Sequence, residues 1–302
     1  MDNNIIQHFA NQFQVMQNNI KRQSGYLARQ EINTLLNDIK KDATRLEPFG
    51  FKVYSQNDED GIIEEIFKRL NSPNCANTST LNNQNLNFVE IGVENGLECN
   101  SLYLLHKGWK GLWLEGNTRQ QKPIEQKFNS LLRSQKLKLG IGIITPNNIN
   151  QVLQQAVINT QNLDFLSIDI DGNDIYLLDA IEFSPKVICI EYNAKFPSLL
   201  NKKPVFNPQN FWKGTDFMGS SLLAISEVAK QKNYVLVATN ITGANAFYVR
   251  KDLINQNFYK PDDDFYQRIK TLYNPPRYWL TFDHFNNIGH PADFGDYADL
   301  QN

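Results

Sequence analysis

From Phe88 onward, short apolar runs alternate with stretches whose apolar positions recur every three or four residues. The runs are FVEI (88–91), GLWLE (111–115), LKLGIGII (137–144), DFLSID (164–169) and KVICIE (186–191). They are mostly continuous in apolar residues and rich in β-branched or aromatic side chains, as strands buried on both faces of a parallel sheet must be. Helices are predicted between them over 98–107, 122–134, 147–160 and 174–182. Five βα repeats predict a doubly wound sheet with right-handed crossovers. A further helix predicted over 220–232 leads to NYVLVAT and AFYVR, separated only by the Gly-containing turn NITGAN, and these two runs predict an antiparallel hairpin. The expected fold is therefore α/β and Rossmann-like, with seven mostly parallel strands in the order 3-2-1-4-5-7-6.

The flanks behave differently. In residues 1–46, Ile5, Phe9, Phe13, Met16 and Ile20 recur at helical spacing, and Ile32, Leu35, Leu36 and Ile39 repeat the pattern after a break near Gly25. This predicts a helical pair packed on the main domain, or a stripe covered by a second copy in a homodimer. Residues 71–86 are polar and aperiodic, which predicts a mobile loop. The segment 251–302 is short of aliphatics yet rich in Phe, Tyr and Trp, so an ordered, irregular extension is expected. The division is a helical N-terminal extension (1–50), a Rossmann-like domain (51–250) and a C-terminal extension packed on it (251–302).

Composition narrows the function classes. Hydrophobic residues make up 41% of the 302 positions and charged residues 21%, enough apolar mass for a real core. Thirty Lys and Arg against 32 Asp and Glu give a net charge of -2, which provides no basic field for nucleic acid. No window approaches a membrane span. The N-terminus lacks the basic flank and apolar core of a secretory signal. Cys75, Cys99 and Cys189 are too scattered for a zinc site or disulfide framework, and a cytoplasmic location is expected.

Candidate chemistry lies at the carboxyl ends of the strands. In FVEIGVENGLECNS (88–101), Glu90 closes the first strand and Gly92 and Gly96 punctuate the turn into a helix. The pattern E-x-G-x-x-x-G, with Glu94 and Glu98 beside it, repels a pyrophosphate and suits a cationic ligand such as S-adenosylmethionine (SAM), whose sulfonium and ammonium groups are positive. Glu115 ends the second strand 19 residues after Gly96, where nucleotide-binding βαβ units place an acid for ribose hydroxyls. Asp169 and Asp171 end the fourth strand, and Glu191, with Asn193 two residues on, ends the fifth. In the expected order these acids face the Glu90–Gly96 loop across the switch-point crevice. They could hold the SAM ammonium, act as general base, or bind Mg2+ through Asp169, Asp171, Glu191 and Asn193. Asp174 is expected to cap the following helix and Asp58 the helix that carries Ile62, Ile66 and Phe67. The nearest rival is a glycosyltransferase, in which Asp169-Ile170-Asp171 serves as a metal-binding DxD; a binding domain without turnover is the other.

Taken in order, YSQNDEDGIIEEIF (54–67), FVEIGVENG, GWKGLWLEGN (108–117), DFLSIDIDGND (164–174), PKVICIEYN (185–193), GTDFMGSSLLA (214–224) and GANAFYV (243–249) resemble FkbM-like SAM-dependent methyltransferases. The resemblance spans residues 54–249 and implies a class I methyltransferase fold and O-methylation of a sugar or glycan-precursor hydroxyl. It implies that Tyr54, Ser55 and Gln56 approach the cofactor, that Glu90, Gly92 and Gly96 hold its methionine end, Glu115 its ribose and Asp169 its amino group. The base is expected at Asp171 or Glu191. Of the histidines, His106 is read as structural, while His284 and His290 lie in a tail that could fold over the crevice. Trp212 and Phe217, with Phe211 beside them, are candidates for acceptor contact or for core packing.

Overall fold

The structure is a computed structural model of the chain and describes residues 3–71, 86–156, 162–209, 211–260, 264–280 and 297–298. Its centre is a seven-stranded sheet of β1 (Asn87–Ile91), β2 (Lys110–Glu115), β3 (Leu137–Ile141), β4 (Phe165–Ile168), β5 (Val187–Glu191), β7 (Tyr234–Thr239) and β8 (Asn245–Arg250). Strand β6 (Lys203–Pro204) lies outside it and pairs with β9 (Tyr297–Ala298). The order is β3-β2-β1-β4-β5-β8-β7. The last two labels differ from expectation only because the two-residue β6 precedes the hairpin. The first five strands run parallel, and β8 is antiparallel to both β5 and β7.

Alternate residues of each central strand feed two cores. Val89, Ile91, Leu166, Ile168, Ile188 and Ile190 belong to one, on the side of α6 (Ile149–Gln155), α7 (Asp174–Ala180) and α8 (Leu222–Gln231). Phe88, Trp113, Phe165, Val187 and Cys189 belong to the other, with α2 (Glu59–Leu70), α3 (Leu102–His106) and α4 (Gln121–Lys127). The period of two along a strand sends neighbours to opposite faces, and helices cover both. Glu90 and Ser167, at register positions paired across β1 and β4, share the Phe88 face.

Several predicted helices are shorter than their patterns. The one expected from residue 98 begins only after Ser101. The one over 122–134 divides at Phe128 into α4 and α5 (Asn129–Arg133). Residues 157–160 of the helix expected over 147–160 lie outside the described residues, as does nearly all of the 71–86 loop. Of the 251–302 extension, the structure describes 251–260, 264–280 and 297–298. The extension contains α9 (Phe265–Leu272), whose Ile269 and Leu272 are fully buried in the core on the α8 side, while Phe258 is buried in the core on the opposite face.

The N-terminal expectation needs a larger correction. Residues 3–39 form one unbroken helix, α1 (Asn3–Ile39), that runs straight through Gly25. A single interior Gly costs only about 1 kcal/mol, and no proline reinforces it. Nor is the apolar stripe packed on the domain, because residues 4–24 are all exposed. Only the far end docks, with Ala28 and Leu36 buried and the Trp279 indole donating to Glu31 at 3.1 Å.

Candidate active site

The turn after β1 is fixed from both sides. The buried Glu90 carboxylate accepts from the backbone of Asn100 at 2.7 Å and Ser101 at 2.9 Å, and from the Ser101 hydroxyl. Those amides open α3, so Glu90 satisfies donors that the helix cannot. That is why α3 starts late. The Asn100 amide also reaches Ser167 of β4 at 3.0 Å. Burial raises the Glu90 pKa despite these bonds. Gly92 has φ +87°, and a Cβ there would lie 1.6 Å from the carbonyl oxygen of Asp169. Gly92 thus lets the β1 turn touch the end of β4, and the crevice closes to that contact. At Gly96 (φ +76°) an added Cβ would run into the Trp113 ring. Glu98 does not join the crevice, because it pairs outward with Lys52 at 3.4 Å.

At the end of β2, Glu115 is buried and its two oxygens accept from the backbone of Glu94 and of Asn117, each at 2.7 Å. Glu115 therefore ties the β2 turn to the β1 turn. Burial is the main cause of its raised pKa.

The opening of DIDGND is held by Asp174. Its carboxylate accepts from Ile170 and Gly172 amides at 2.8 Å each. The expected capping role is thus displaced. Asn173 occupies the cap position of α7, and Asp174 folds back on its own loop. Asp171 adopts φ +57°, an uncommon conformation for a residue with a Cβ. The result is that Asp169, Asp171 and Glu191 each offer an oxygen, all within 4.8 Å of one another. All three are half-buried at the crevice. Burial first, and the neighbouring carboxylates second, raise Asp169 and Glu191 well above the carboxylate range. The same causes push Asp171 up to about 6. Oε2 of Glu191 is buried and accepts no hydrogen bond among the described residues. Asn193 is turned elsewhere. Its amide nitrogen donates to the Asp216 carbonyl at 2.7 Å and its oxygen accepts from the Lys195 amide at 3.1 Å.

Asn193 thereby anchors the loop that carries the candidate acceptor aromatics. Trp212 and Phe211 are exposed, which overturns core packing for both, and the Trp212 indole donates to the Thr215 carbonyl at 2.7 Å. Phe217 is partly buried. Before the sheet, one Asp60 oxygen accepts three successive amides, of Val53, Tyr54 and Ser55, at 2.7–3.0 Å. Ser55 is buried there, Gln56 is exposed, and the Tyr54 ring stacks on His106 with centroids 4.8 Å apart. Asp58 stands at the cap position of α2 without capping it. Its carboxylate takes the Asn240 amide from the β7–β8 turn instead.

One residue escaped the sequence reading. Tyr278, from the C-terminal extension, lies close enough to Glu191 that this carboxylate adds to the burial that raises its phenol pKa. Only the path of the tail could reveal it. His284 and His290 lie outside the described residues.

No family model and no curated protein matches the chain. Solved structures do. The METTL16 methyltransferase domain aligns with TM-score 0.40 and 10% identity over 64% of this chain and 66% of its own. The N-terminal domain of EvdMO1 with SAH bound aligns at 0.39 and 13% identity, over 70% of this chain and 94% of that one. A TehB-like SAM-dependent methyltransferase from Corynebacterium glutamicum aligns at 0.37 and 13% identity, over 74% and 100%. The match to a structure from Galdieria sulphuraria covers only 44% of each chain. At these identities and TM-scores the alignments carry no activity over to this chain, and its Rossmann-like α/β architecture is read from its own strand order.

Proposed function

We propose that the chain is a SAM-dependent methyltransferase acting on a hydroxyl, most simply of a sugar or glycan precursor. The observation that carries this reading is the convergence of Asp169, Asp171 and Glu191 beside the Gly92 turn, at the switch point of the sheet. Three half-buried carboxylates whose oxygens lie within 4.8 Å of one another ask for a positively charged ligand. When bound, SAM supplies an electrophilic methyl on its sulfonium.

In this reading Asp169 takes the ammonium of the methionine part, and the Gly92–Gly96 turn lines it through its backbone, since the Glu90 carboxylate is already spent on α3. Glu115 faces the ribose. Tyr54, Ser55 and Gln56 border the same end. Asp171 and Glu191 orient the acceptor hydroxyl and receive its proton, and the exposed Trp212 with Phe217 gives a sugar ring an aromatic face. The work of the protein is alignment for in-line transfer and removal of that proton.

The buried, unpartnered Oε2 of Glu191 favours a second reading of the same three oxygens, as ligands of a divalent cation, which would be hard-oxygen chemistry. Asn193, engaged with Asp216 and Lys195, is not placed in that set.

Isothermal titration tests the assignment. SAH is expected to bind at micromolar strength, and UDP with Mn2+ is expected not to. Tight UDP binding without SAH binding would make the Asp169–Asp171 pair a glycosyltransferase DxD instead. EDTA separates the two readings of the carboxylates, because only a metal-assisted reaction loses rate and regains it with added Mg2+.

A further inference from the structure

Helix α1 carries an apolar seam that its own domain does not use. Ile6, Phe9, Phe13, Met16 and Ile20 follow one another at steps of three, four, three and four residues, and Gln23 and Leu27 continue the alternation. The six apolar members of this series are between 46% and 68% exposed. A strict alternation of three and four is a 3.5-residue period, the period of helices wound around each other, whereas a straight amphipathic helix drifts off it by about 20° per heptad. A single solvated helix rich in Asn and Gln is marginal on its own, so its stability must come from what covers the seam.

The geometry points to a second copy of this chain as the occupant, its α1 lying parallel and in register with the first along residues 6–27. Three observations favour that partner. First, the positions flanking the seam are Ile5, Ala10, Gln12, Gln17, Asn19 and Ser24, none of them charged, so identical helices meet without repulsion. Residues 3–30 include no acid at all, so a partner selected by charge would find only Lys21, Arg22 and Arg29, near one end. Second, at roughly 60–120 Å2 for each apolar seam side chain, two copies bury about 700–1,400 Å2. That range brackets the roughly 1,000 Å2 expected of a specific interface. Third, Gln23 fixes the orientation. In a parallel pair it meets the same residue of its partner and the two amides satisfy each other. An antiparallel pair buries it at the level of Ile6. Because the far end of α1 docks on the domain through Ala28, Leu36 and the Trp279–Glu31 bond, the coil would hold two crevices in one particle.

Sedimentation equilibrium of the full chain at micromolar concentration is expected to give twice the chain mass. A variant carrying Phe13→Glu and Met16→Glu is expected to halve it. Both residues are exposed on the lone chain, so the thermal transition of the domain and its near-ultraviolet circular dichroism should be unchanged. Gln23→Cys reads the orientation: mild oxidation should cross-link the pair, with the wild type as control for the native cysteines. In an antiparallel pair the two thiols would stand roughly 25 Å apart along the axis. A wild-type monomer, or a dimer that survives the double substitution, overturns the proposal. Failure of Gln23→Cys to cross-link a proven dimer overturns the parallel register. A monomer that binds anionic phosphatidylserine vesicles through α1 would assign the seam to a membrane surface and likewise end it.

Discussion

Gly92 and Asp169 touch so closely that a Cβ on the first would lie 1.6 Å from the carbonyl oxygen of the second. One atom therefore separates a closed junction of the β1 turn and the β4 end from a broken one. Gly92→Ala is expected to destabilise the fold by about 2–4 kcal/mol, from overpacking and from a positive φ that a side chain resists. It should also abolish SAH binding, because the displaced Asp169 leads the carboxylate cluster. Urea unfolding and titration on the same preparation check both effects. A variant of wild-type stability would mean that the junction opens freely.

Glu115 joins the turns of two strands by accepting from Glu94 and Asn117. Glu115→Ala is expected to weaken SAH binding by about 1–3 kcal/mol, through loss of a charged acceptor. Glu115→Gln keeps the shape and should lose less. If the folded alanine variant binds SAH as tightly as the wild type, the ribose lies elsewhere.

Asp171 stands within the oxygen cluster but is not the group assigned to the methionine ammonium. Asp171→Asn should eliminate methyl transfer and leave SAH affinity within a few fold. Single-turnover assays beside calorimetry would separate the two, and retained transfer would remove Asp171 from the chemistry.

Asp58 gives a pH dependence independent of the crevice. Burial, then the Glu59 charge, push its carboxyl from 3.8 up to about 7. The folded chain thus binds this proton more tightly than the unfolded chain does. Its contribution to stability falls as pH rises from about 4 to about 7 and is level above that. Asp58→Asn keeps an acceptor for the Asn240 amide and removes the charge. Its stability relative to wild type should therefore rise across that window, measured as urea midpoints at pH 4.5 and pH 8. A constant difference between the two proteins would show that Asp58 is ionised throughout.

Much of the scaffold was legible because strand burial writes itself into composition. Runs such as FVEI and KVICIE can only be strands covered on both faces, and the turn NITGAN between two more runs dictates a hairpin. The site was legible in part. Sheet order alone brings Asp169, Asp171 and Glu191 to one end, and the oxygens do converge there. What the side chains do at that end was not legible. Glu90, Asp174, Asp58 and Asn193 each found a backbone or amide partner that short-range capping rules do not foresee: Asp58 and Asn193 reach other segments, while Glu90 and Asp174 bind amides of the turns next to them. Glu98 turned outward to Lys52.

Taken by itself, the order of residues determined seven strands, their pairing, and a cluster of acids at one edge, since these follow from local periodicity and from the handedness of crossovers. Only the tertiary structure decided which acids remain free to meet a ligand, that α1 runs unbroken past Gly25 with its seam uncovered, and that Tyr278 returns toward Glu191. Those outcomes depend on contacts between distant segments, where burial and competing hydrogen-bond donors, rather than the neighbouring residues in the chain, set the lowest free energy.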